Sequence, residues 1–279
     1  MDRSNLGDLP DEIIEEICKK FFEQGDAKGL AGIISSHRRA HVVCQKFLNR
    51  MKLIPQLATA GNVYYLDSRG IFTIYDDYTQ KVIFRHPGVI GFNYSLVLMK
   101  NDEVYQLESL SPGNISIGDQ IKDMKLLYLN TNGHVSTDGT IYNQYDNEIG
   151  KIKLHDDETV ISLAIDVYDN WILLTSENRV INNGSPINLH GLPVIENVSI
   201  CSGHGCILDP NGDVYLVNGK NIEEYLIGKK IKMINNGYLL SDDGTIYRNT
   251  TELGQFKDAW MLDNLGNYID KKFVVHDIV

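Results

Sequence analysis

The chain has 279 residues, 43% of them apolar, and can therefore bury one large core and a smaller one. Its net charge of −11 is unevenly distributed along the sequence. Residues 1–55 hold 9 of the 26 basic and 8 of the 37 acidic side chains, which leaves 17 basic and 29 acidic ones, or −12, for the rest. Such an acidic excess repels phosphate groups and excludes nucleic acid as an expected partner.

No apolar run is long enough to cross a membrane, and the first residues lack the apolar core of a signal peptide, so we expect no membrane partner. The four cysteines are too few and too scattered for a disulfide framework. We therefore expect a reducing compartment, the cytoplasm or the nucleus. For the same reason, the five Asn-x-Ser/Thr matches carry no weight as glycosylation sites.

Residues 9–22 predict the first element, an amphipathic helix. Pro10 suits its first turn, and the carboxylates of Asp11 and Glu12 lie at the positive end of the helix dipole. Two neighbouring apolar stripes run along it, formed by Ile13, Ile17 and Phe21 and by Ile14, Cys18 and Phe22. A small helical unit has too little core to bury both stripes, so part of this surface is predicted to bind a partner.

The chain is predicted to contain two domains. Two more short helices, or one bent helix, are predicted over residues 30–51. No helix is expected to continue to Pro55, because a proline disfavours the helical conformation of the residue before it. From Val63 onward the apolar pattern changes from a helical period to that of strands. We therefore predict a helical module over residues 1–55 and a β-domain over residues 56–279.

The helical module resembles an F-box over residues 5–50. The resemblance rests on Leu9-Pro10-x-Glu12-Ile13-x-x-x-Ile17, followed by Leu30, Ile33 and Ser36-His37-Arg38-Arg39. The second half departs from the family, because Ser35 to Arg39 stand where Val-Cys-x-x-Trp is usual. The resemblance implies a surface that binds a Skp-type adaptor of a cullin ubiquitin ligase, formed by Leu9, Pro10, Glu12, Ile13, Ile14 and Ile17. The alternative is a helical cap on the β-domain.

Seven copies of one strand–turn–strand pattern make up the β-domain. In each copy, one apolar residue lies four positions before a turn residue and another lies two positions after it. The turn residues, with these two partners in parentheses, are Gly70 (Leu66, Phe72), Asp102 (Leu98, Val104), Gly139 (Val135, Ile141), Asn178 (Leu174, Val180), Gly212 (Leu208, Val214), Gly244 (Leu240, Ile246) and Lys272 (Tyr268, Val274). A single hairpin cannot bury its apolar face alone, so the copies must stack around an axis. We predict a mainly β fold, a six- or seven-bladed β-propeller of short repeats with three or four strands each.

The copies also resemble the regulator-of-chromosome-condensation repeat over residues 63–275. The resemblance rests on Ser202-Gly203-His204 before an apolar strand and on the turns Thr137-Asp-Gly-Thr-Ile-Tyr142 and Ser241-Asp-Asp-Gly-Thr-Ile-Tyr247. Founding members of that family exchange nucleotide on a small GTPase through a projecting loop. The short spacing between copies leaves no room for such a loop, so nucleotide exchange is kept only as an alternative function.

One group of residues has the spacing of half a zinc site: Cys201, His204 and Cys206. A zinc site usually needs a second pair of ligands, and the chain has no second closely spaced cysteine pair. The repeat pattern itself calls for histidine and small residues at this place. We therefore assign a structural role to these residues, and the same role to His134.

The remaining motifs do not predict catalysis. The Asp-Gly pairs at 138–139 and 243–244 are explained by turn formation. The sequence has no nucleophile elbow, zinc-protease helix or phosphate-binding loop. We predict no enzyme activity, no metal and no cofactor.

These patterns together predict a substrate receptor. The F-box-like module would recruit the Skp-type adaptor and the cullin ligase, and a propeller face would select a protein target that the sequence does not name. The alternatives are a nucleotide-exchange factor or another non-catalytic binding propeller capped by its helices. Frequent Asn and Ile suggest an AT-rich genome, such as that of a large virus or intracellular bacterium, and hence action inside an infected host cell.

Overall fold

The computed structural model describes Pro10, six residues between 13 and 20, and residues 54–278 apart from 60–61, 77–78, 80, 112–113, 190, 193, 264–265 and 273. The chain divides into two compact units, Met1–Lys52 and Leu53–Val279. In the first unit, the carbonyl of Pro10 accepts hydrogen bonds from the amides of Ile13 and Ile14, and all six described residues that follow are helical. The helices predicted over residues 30–51 lie outside the described residues.

The second unit consists of β-sheets. The first blade holds β1 (Gln56–Thr59), β2 (Asn62–Leu66), β3 (Ile71–Asp76) and β4 (Val82–Pro87). The second holds β5 (Val89–Phe92), β6 (Leu96–Met99), β7 (Val104–Ser111) and β8 (Asn114–Gln120). The third holds β9 (Leu126–Asn130), β10 (Gly133–Ser136), β11 (Thr140–Asn143) and β12 (Glu148–Lys151). The fourth holds β13 (Val160–Ile165), β14 (Trp171–Thr175), β15 (Val180–Asn182) and β16 (Ser185–Pro186).

Three further blades complete the ring. The fifth holds β17 (Asn197–Cys201), β18 (His204–Leu208), β19 (Val214–Asn218) and β20 (Asn221–Leu226). The sixth holds β21 (Ile231–Asn235), β22 (Tyr238–Ser241), β23 (Thr245–Arg248) and β24 (Thr251–Gln255). The seventh has three strands among the described residues, β25 (Ala259–Leu262), β26 (Asn267–Asp270) and β27 (Val275–Asp277).

Each sheet is a simple antiparallel meander, in which every strand pairs with its neighbour in sequence. From the second blade to the seventh, the first strands of successive blades contact one another, which places them innermost, around the axis. The fold is a seven-bladed β-propeller. The prediction of a mainly β propeller is confirmed, the blade count is seven, and the blades have three or four strands as predicted.

The repeat pattern explains how the blades form. In the first six copies, the two apolar residues of each pattern are cross-strand partners, as Leu66 and Phe72 are in the first blade and Leu208 and Val214 in the fifth. All six turn residues have a positive φ, between 62° and 85°. Glycine adopts this conformation without a steric penalty, and Asn and Asp tolerate it best among the other residues, which is why these types occupy the position.

The seventh copy is shifted by one residue from the prediction. Tyr268 pairs with His276, and the residues that fill the two apolar positions are Ile269 and Val275 rather than Tyr268 and Val274. The carboxylate of Asp270 accepts the turn amides, as those of Asp67 and Asp209 do in their blades. A one-residue shift moves a side chain to the opposite face of its sheet, so Tyr268 faces the sixth blade.

The core is divided among the seven interfaces between blades. Each described interface has its own apolar cluster, and the pattern residues of a blade lie in the cluster shared with the next blade. Between the first two blades, for example, the rings of Phe72 and Phe92 lie 4.8 Å apart and both are fully buried. A hairpin therefore buries its apolar face only when its neighbour is present.

The ring closes through side chains between the seventh and first blades. Leu57 and Val63 pack with Met261 and Ile269, and the rings of Tyr65 and Trp260 meet edge to face at 5.2 Å. A hydrogen bond of 2.5 Å runs from the Thr59 hydroxyl to the buried Asp263 carboxylate. Among the described residues, no strand of one of these blades belongs to the other sheet.

The cysteines depart from the expectation of free thiols. Cys201 and Cys206 form a disulfide across the hairpin of β17 and β18, with their Cα atoms 5.9 Å apart, and Cys18 is also disulfide-bonded. Ser202 and Gly203 form a two-residue turn with positive φ at both positions, which places the two cysteines diagonally on one face of the ladder. The cytoplasmic or nuclear location stays a prediction. No helix among the described residues is long and apolar enough to cross a membrane.

Candidate functional site

The most exposed apolar side chains lie together on one face of the propeller. In every blade the turns after the first and third strands share one face, because successive strands are antiparallel. Tyr145, in such a turn of the third blade, is 74% exposed, and Val167 and Tyr168, in such a turn of the fourth, are 86% and 82% exposed. The next most exposed large apolar side chain among the described residues is Val82, at 53%. We call residues 143–147 and 166–170 the turn pair.

Asn143 joins the two halves of the turn pair. Its side chain is buried, and its carbonyl oxygen accepts hydrogen bonds from the amides of Tyr145 and Asn147 at 2.9 and 3.1 Å. Its amide nitrogen donates to Asp169 Oδ1 at 2.8 Å. Asp166 fixes the second turn in the same way, because its Oδ1 accepts the amides of Tyr168 and Asn170. The exposed side chains are therefore presented by turns that are held in place.

A cleft of about 310 Å³ lies beside these side chains. Tyr145 and Val167 contribute apolar surface to it, and polar groups from three blades complete its lining: Asn132, Asn143, Gln144, Asn147, Asp166, Asp169 and Asn236. This volume is at the small end of ligand pockets and suits one long side chain. An apolar patch next to a small polar cleft is the usual combination at a protein-binding surface.

The turn pair is acidic. It contains three aspartates, Asp146, Asp166 and Asp169, and no Lys or Arg. Asp166 and Asp169 line the cleft, and neither has a cationic partner among the described residues. The surface therefore presents negative charge beside exposed aromatic rings.

The predicted adaptor surface is described only in part. Leu9 and Glu12 lie outside the described residues. Pro10 is exposed, Ile13 is 42% exposed, Ile17 is half-buried and Ile14 is fully buried. Among the described apolar residues of the helix, Ile13 and Ile17 are thus the accessible ones, while Ile14 and Cys18 are buried.

The residues with the spacing of half a zinc site, for which the sequence predicts a structural role, lie in one hairpin. The sulfur atoms of Cys201 and Cys206 are bonded to each other and fully buried, whereas His204 is exposed. Metal-bound cysteine is a thiolate, so neither sulfur is a free ligand in this state. His134 is buried and stacks on Tyr142 at 4.8 Å, and burial lowers its pKa. The Cys201–Cys206 pair and His134 therefore have structural roles within their hairpins.

The Asp-Gly turns behave as predicted. Asp138 accepts hydrogen bonds from the backbone and hydroxyl of Thr140, and Asp243 accepts the amide of Thr245 and the hydroxyl of Ser241. These bonds stabilise the carboxylate form. The hydrogen bonds from Ser241 and Thr245 hold the pKa of Asp243 at about 2. These carboxylates close turns, and their geometry requires no catalytic role.

One cluster of metal-ligand type occurs in the described part of the chain. The ligand atoms of His155, Glu158 and Glu177 lie within 4.8 Å of one another. The guanidinium of Arg179 already provides the positive charge that a metal ion would bring to these carboxylates. Its Nη1 lies 3.3 Å from Glu158 Oε2 and 2.8 Å from His155 Nε2. A guanidinium only donates, so Nε2 accepts and Nδ1 donates to Glu177 at 2.7 Å. A metal on Nδ1 would move the proton to Nε2, against the guanidinium, and we therefore interpret the cluster as an ion-pair network.

No family model and no curated protein matches the sequence. Among solved structures, the chain is similar to the crystal structure of the WD40 β-propeller domain of Doa1, with a TM-score of 0.50 and 14% identity over 80% of this chain and 91% of that one. It is also similar to YCF48 from Cyanidioschyzon merolae, with a TM-score of 0.45 and 15% identity over 79% of this chain and 89% of that one. The first similarity agrees with the propeller fold and carries no partner or activity to this chain.

Sequence reasoning missed the turn pair. Tyr145 lies between Gln144 and Asp146, and Val167 and Tyr168 lie between two aspartates, which is an unusual composition for an exposed turn. That composition was an available signal. The bond from Asn143 to Asp169 was not predictable in the same way, because it depends on how two separate blades pack.

Proposed function

We propose that this chain is a non-catalytic protein-binding propeller whose protein target docks on the turn pair. One observation supports this proposal above all. The three most exposed apolar side chains of the described residues, Tyr145, Val167 and Tyr168, lie on two turns joined by one hydrogen bond. Tyrosine is favoured at protein interfaces because its ring buries a large area at low entropic cost. A propeller suits this function because it holds variable turns on a rigid ring.

The test is affinity purification of the full chain from cells, with the captured proteins identified by mass spectrometry. The variant Tyr145→Ser/Tyr168→Ser should lose proteins that the unmodified chain retains, because both rings are exposed and contribute to binding rather than to the core. Val82→Ser/Leu253→Ser is the matched control, since both side chains are exposed on outer strands away from the turn pair. Identical captured proteins for all three chains, at equal melting temperatures, would contradict the proposal.

The finer proposal is that the chain acts as an F-box-type substrate receptor. The first unit would recruit a Skp-type adaptor and cullin ligase through Leu9, Pro10, Glu12, Ile13, Ile14 and Ile17, while the propeller holds the target. Support comes from the F-box-like sequence at 9–17 and from the exposure of Pro10 and Ile13. A buried Ile contributes about 1.5–3 kcal/mol, so two or three such residues can sustain micromolar binding.

A second pair of variants separates the two halves of the proposal. Leu9→Ala/Pro10→Ala should abolish capture of the adaptor and cullin while the target stays bound. Tyr145→Ser/Tyr168→Ser should instead abolish capture of the target while the adaptor and cullin stay bound. If neither variant nor the unmodified chain captures an adaptor, the receptor proposal is wrong and the binding propeller alone remains.

A further inference from the structure

We propose that the turn pair selects a basic segment of its partner and that one Arg or Lys side chain enters the cleft beside it. This inference rests on the proposed function, because it names the chemistry of the target that docks there.

The cleft suits a long cationic side chain. Its volume of about 310 Å³ accommodates one such side chain, and the apolar surfaces of Tyr145 and Val167 lie where the aliphatic stem would pass. Arg and Lys bury their methylene groups against apolar surface while the charged end reaches polar groups. An entirely apolar side chain would instead cover Asp166 and Asp169 without replacing their contacts with water, which is costly.

The polar lining offers acceptors for that charged end. Asp169 Oδ1 accepts the Asn143 amide, and Asp169 itself is exposed in a turn with φ of 64°. Asp166 is half-buried, with Oδ1 accepting two backbone amides. Both groups are already held in place, so a cation can bind them without ordering them first. Charge-assisted hydrogen bonds of this kind are about twice as strong as neutral ones.

The surrounding charge favours the same partner. The three aspartates of the turn pair, Asp146, Asp166 and Asp169, have no Lys or Arg among their neighbours in these turns, so they attract a basic segment during encounter and repel an acidic one. Exposed rings of Tyr145 and Tyr168 add favourable contacts to a cation that lies over their faces. A basic segment with apolar neighbours therefore matches both the rings and the carboxylates.

The experiment is selection of random 12-residue displayed peptides on the immobilised full chain, followed by affinity measurement on labelled synthetic copies of the enriched peptides. We expect enrichment of Arg or Lys flanked by apolar residues. Asp166→Asn/Asp169→Asn should weaken binding of these peptides at least about tenfold. Asparagine keeps the oxygen that accepts the turn amides and tolerates the positive φ at 169, so the turn should persist.

The control variant is Glu223→Gln/Glu224→Gln, which removes the same amount of charge from the exposed outer strand β20 of the fifth blade. It should change affinity less than about twofold, since screening limits the effect of distant exposed charges. Equal weakening by both double variants would show general attraction to an acidic protein and would overturn the inference.

Two other outcomes distinguish this inference from the proposed function. Enriched peptides that need Tyr145 and Tyr168 but contain no excess of Arg or Lys would overturn the inference and leave the turn pair as a docking site. Peptides that bind regardless of both the tyrosine and the aspartate changes, or a selection that enriches none, would overturn both.

Discussion

The Thr59 hydroxyl donates a hydrogen bond of 2.5 Å to Asp263 Oδ2, which joins the first blade of the ring to the last. Asp263 is fully buried, and its other carboxylate oxygen accepts the amide of Asn267 at 2.8 Å. In the part of the chain that the structure describes, the bond therefore lies where side chains, and no shared strand, join the first and last blades.

Thr59→Val should destabilise the propeller by about 1–3 kcal/mol, because the shape is retained while a buried carboxylate loses a donor. The measurement is urea unfolding of the full chain, followed by circular dichroism. Thr251→Val, on the exposed outer strand β24, is the matched control and should change the free energy of unfolding by less than about 0.5 kcal/mol. Equal effects of the two variants would show that the bond has no special part in closure.

Asn143→Ala should also destabilise the fold, again by about 1–3 kcal/mol, because three hydrogen bonds of a buried amide are lost. Since these bonds hold both turns of the turn pair, target capture should weaken in the same variant. Gln144→Ala, at the exposed neighbouring position, should leave the free energy of unfolding nearly unchanged. An unfolding curve of Asn143→Ala that overlays that of the unmodified chain would contradict this assignment.

The bond between Cys201 and Cys206 is open to direct chemical test. After denaturation, alkylation should label these two residues only when a reductant has been added, as read by peptide mass. In the chain-entropy model, opening a loop this short lowers the free energy of unfolding by about 2 kcal/mol, so the reduced protein should melt at a lower temperature. Full labelling without reductant would show that the thiols are free in solution.

Acid should weaken the propeller partly through Asp138 and Asp243. Hydrogen bonds from Lys151, Ser136 and Thr140 hold the pKa of Asp138 well below its usual range, and that of Asp243 is about 2 against an ordinary 3.8. A folded-state pKa below the unfolded value gives stability that is complete above pH ~4 and is lost as the pH falls towards ~2. Asp243→Asn should therefore melt below the unmodified chain at pH 6, and the gap should be clearly narrower at pH 2.5.

The neighbouring Asp242→Asn is the control for that measurement, because its carboxylate is not the acceptor of the turn bonds at Ser241 and Thr245. Its melting difference from the unmodified chain should stay constant between the two pH values. A constant difference for Asp243→Asn as well would contradict the role of this carboxylate.

Much of the fold was predictable because each blade is built from residues that are close in sequence. Leu66 and Phe72 form their pair through a turn between them, and a periodic pattern is enough to locate such a pair. The predicted pattern of the seventh copy is wrong by one residue because it places the turn at Lys272, whereas Asp270 corresponds to Asp67 and Asp209 and gives the correct register.

The candidate site was not predictable to the same extent. Nothing in the local sequence places Asn143 beside Asp169, which lies 26 residues away in another blade. The number of cysteines does not predict the disulfide, because the bond depends on the hairpin that brings Cys201 and Cys206 together. The adaptor surface depends in part on residues outside the described ones and stays a prediction.

The meander topology also determines the order in which the chain can fold. Every strand pairs with its sequence neighbour, so each blade needs only short loop closures, whereas the bond between Thr59 and Asp263 joins residues 204 positions apart. We therefore expect the blades to form first and the junction of the first and seventh to form after the rate-limiting step. Thr59→Val should then speed unfolding and leave the refolding rate nearly unchanged, and a slower refolding rate in stopped-flow measurements would place ring closure before that step.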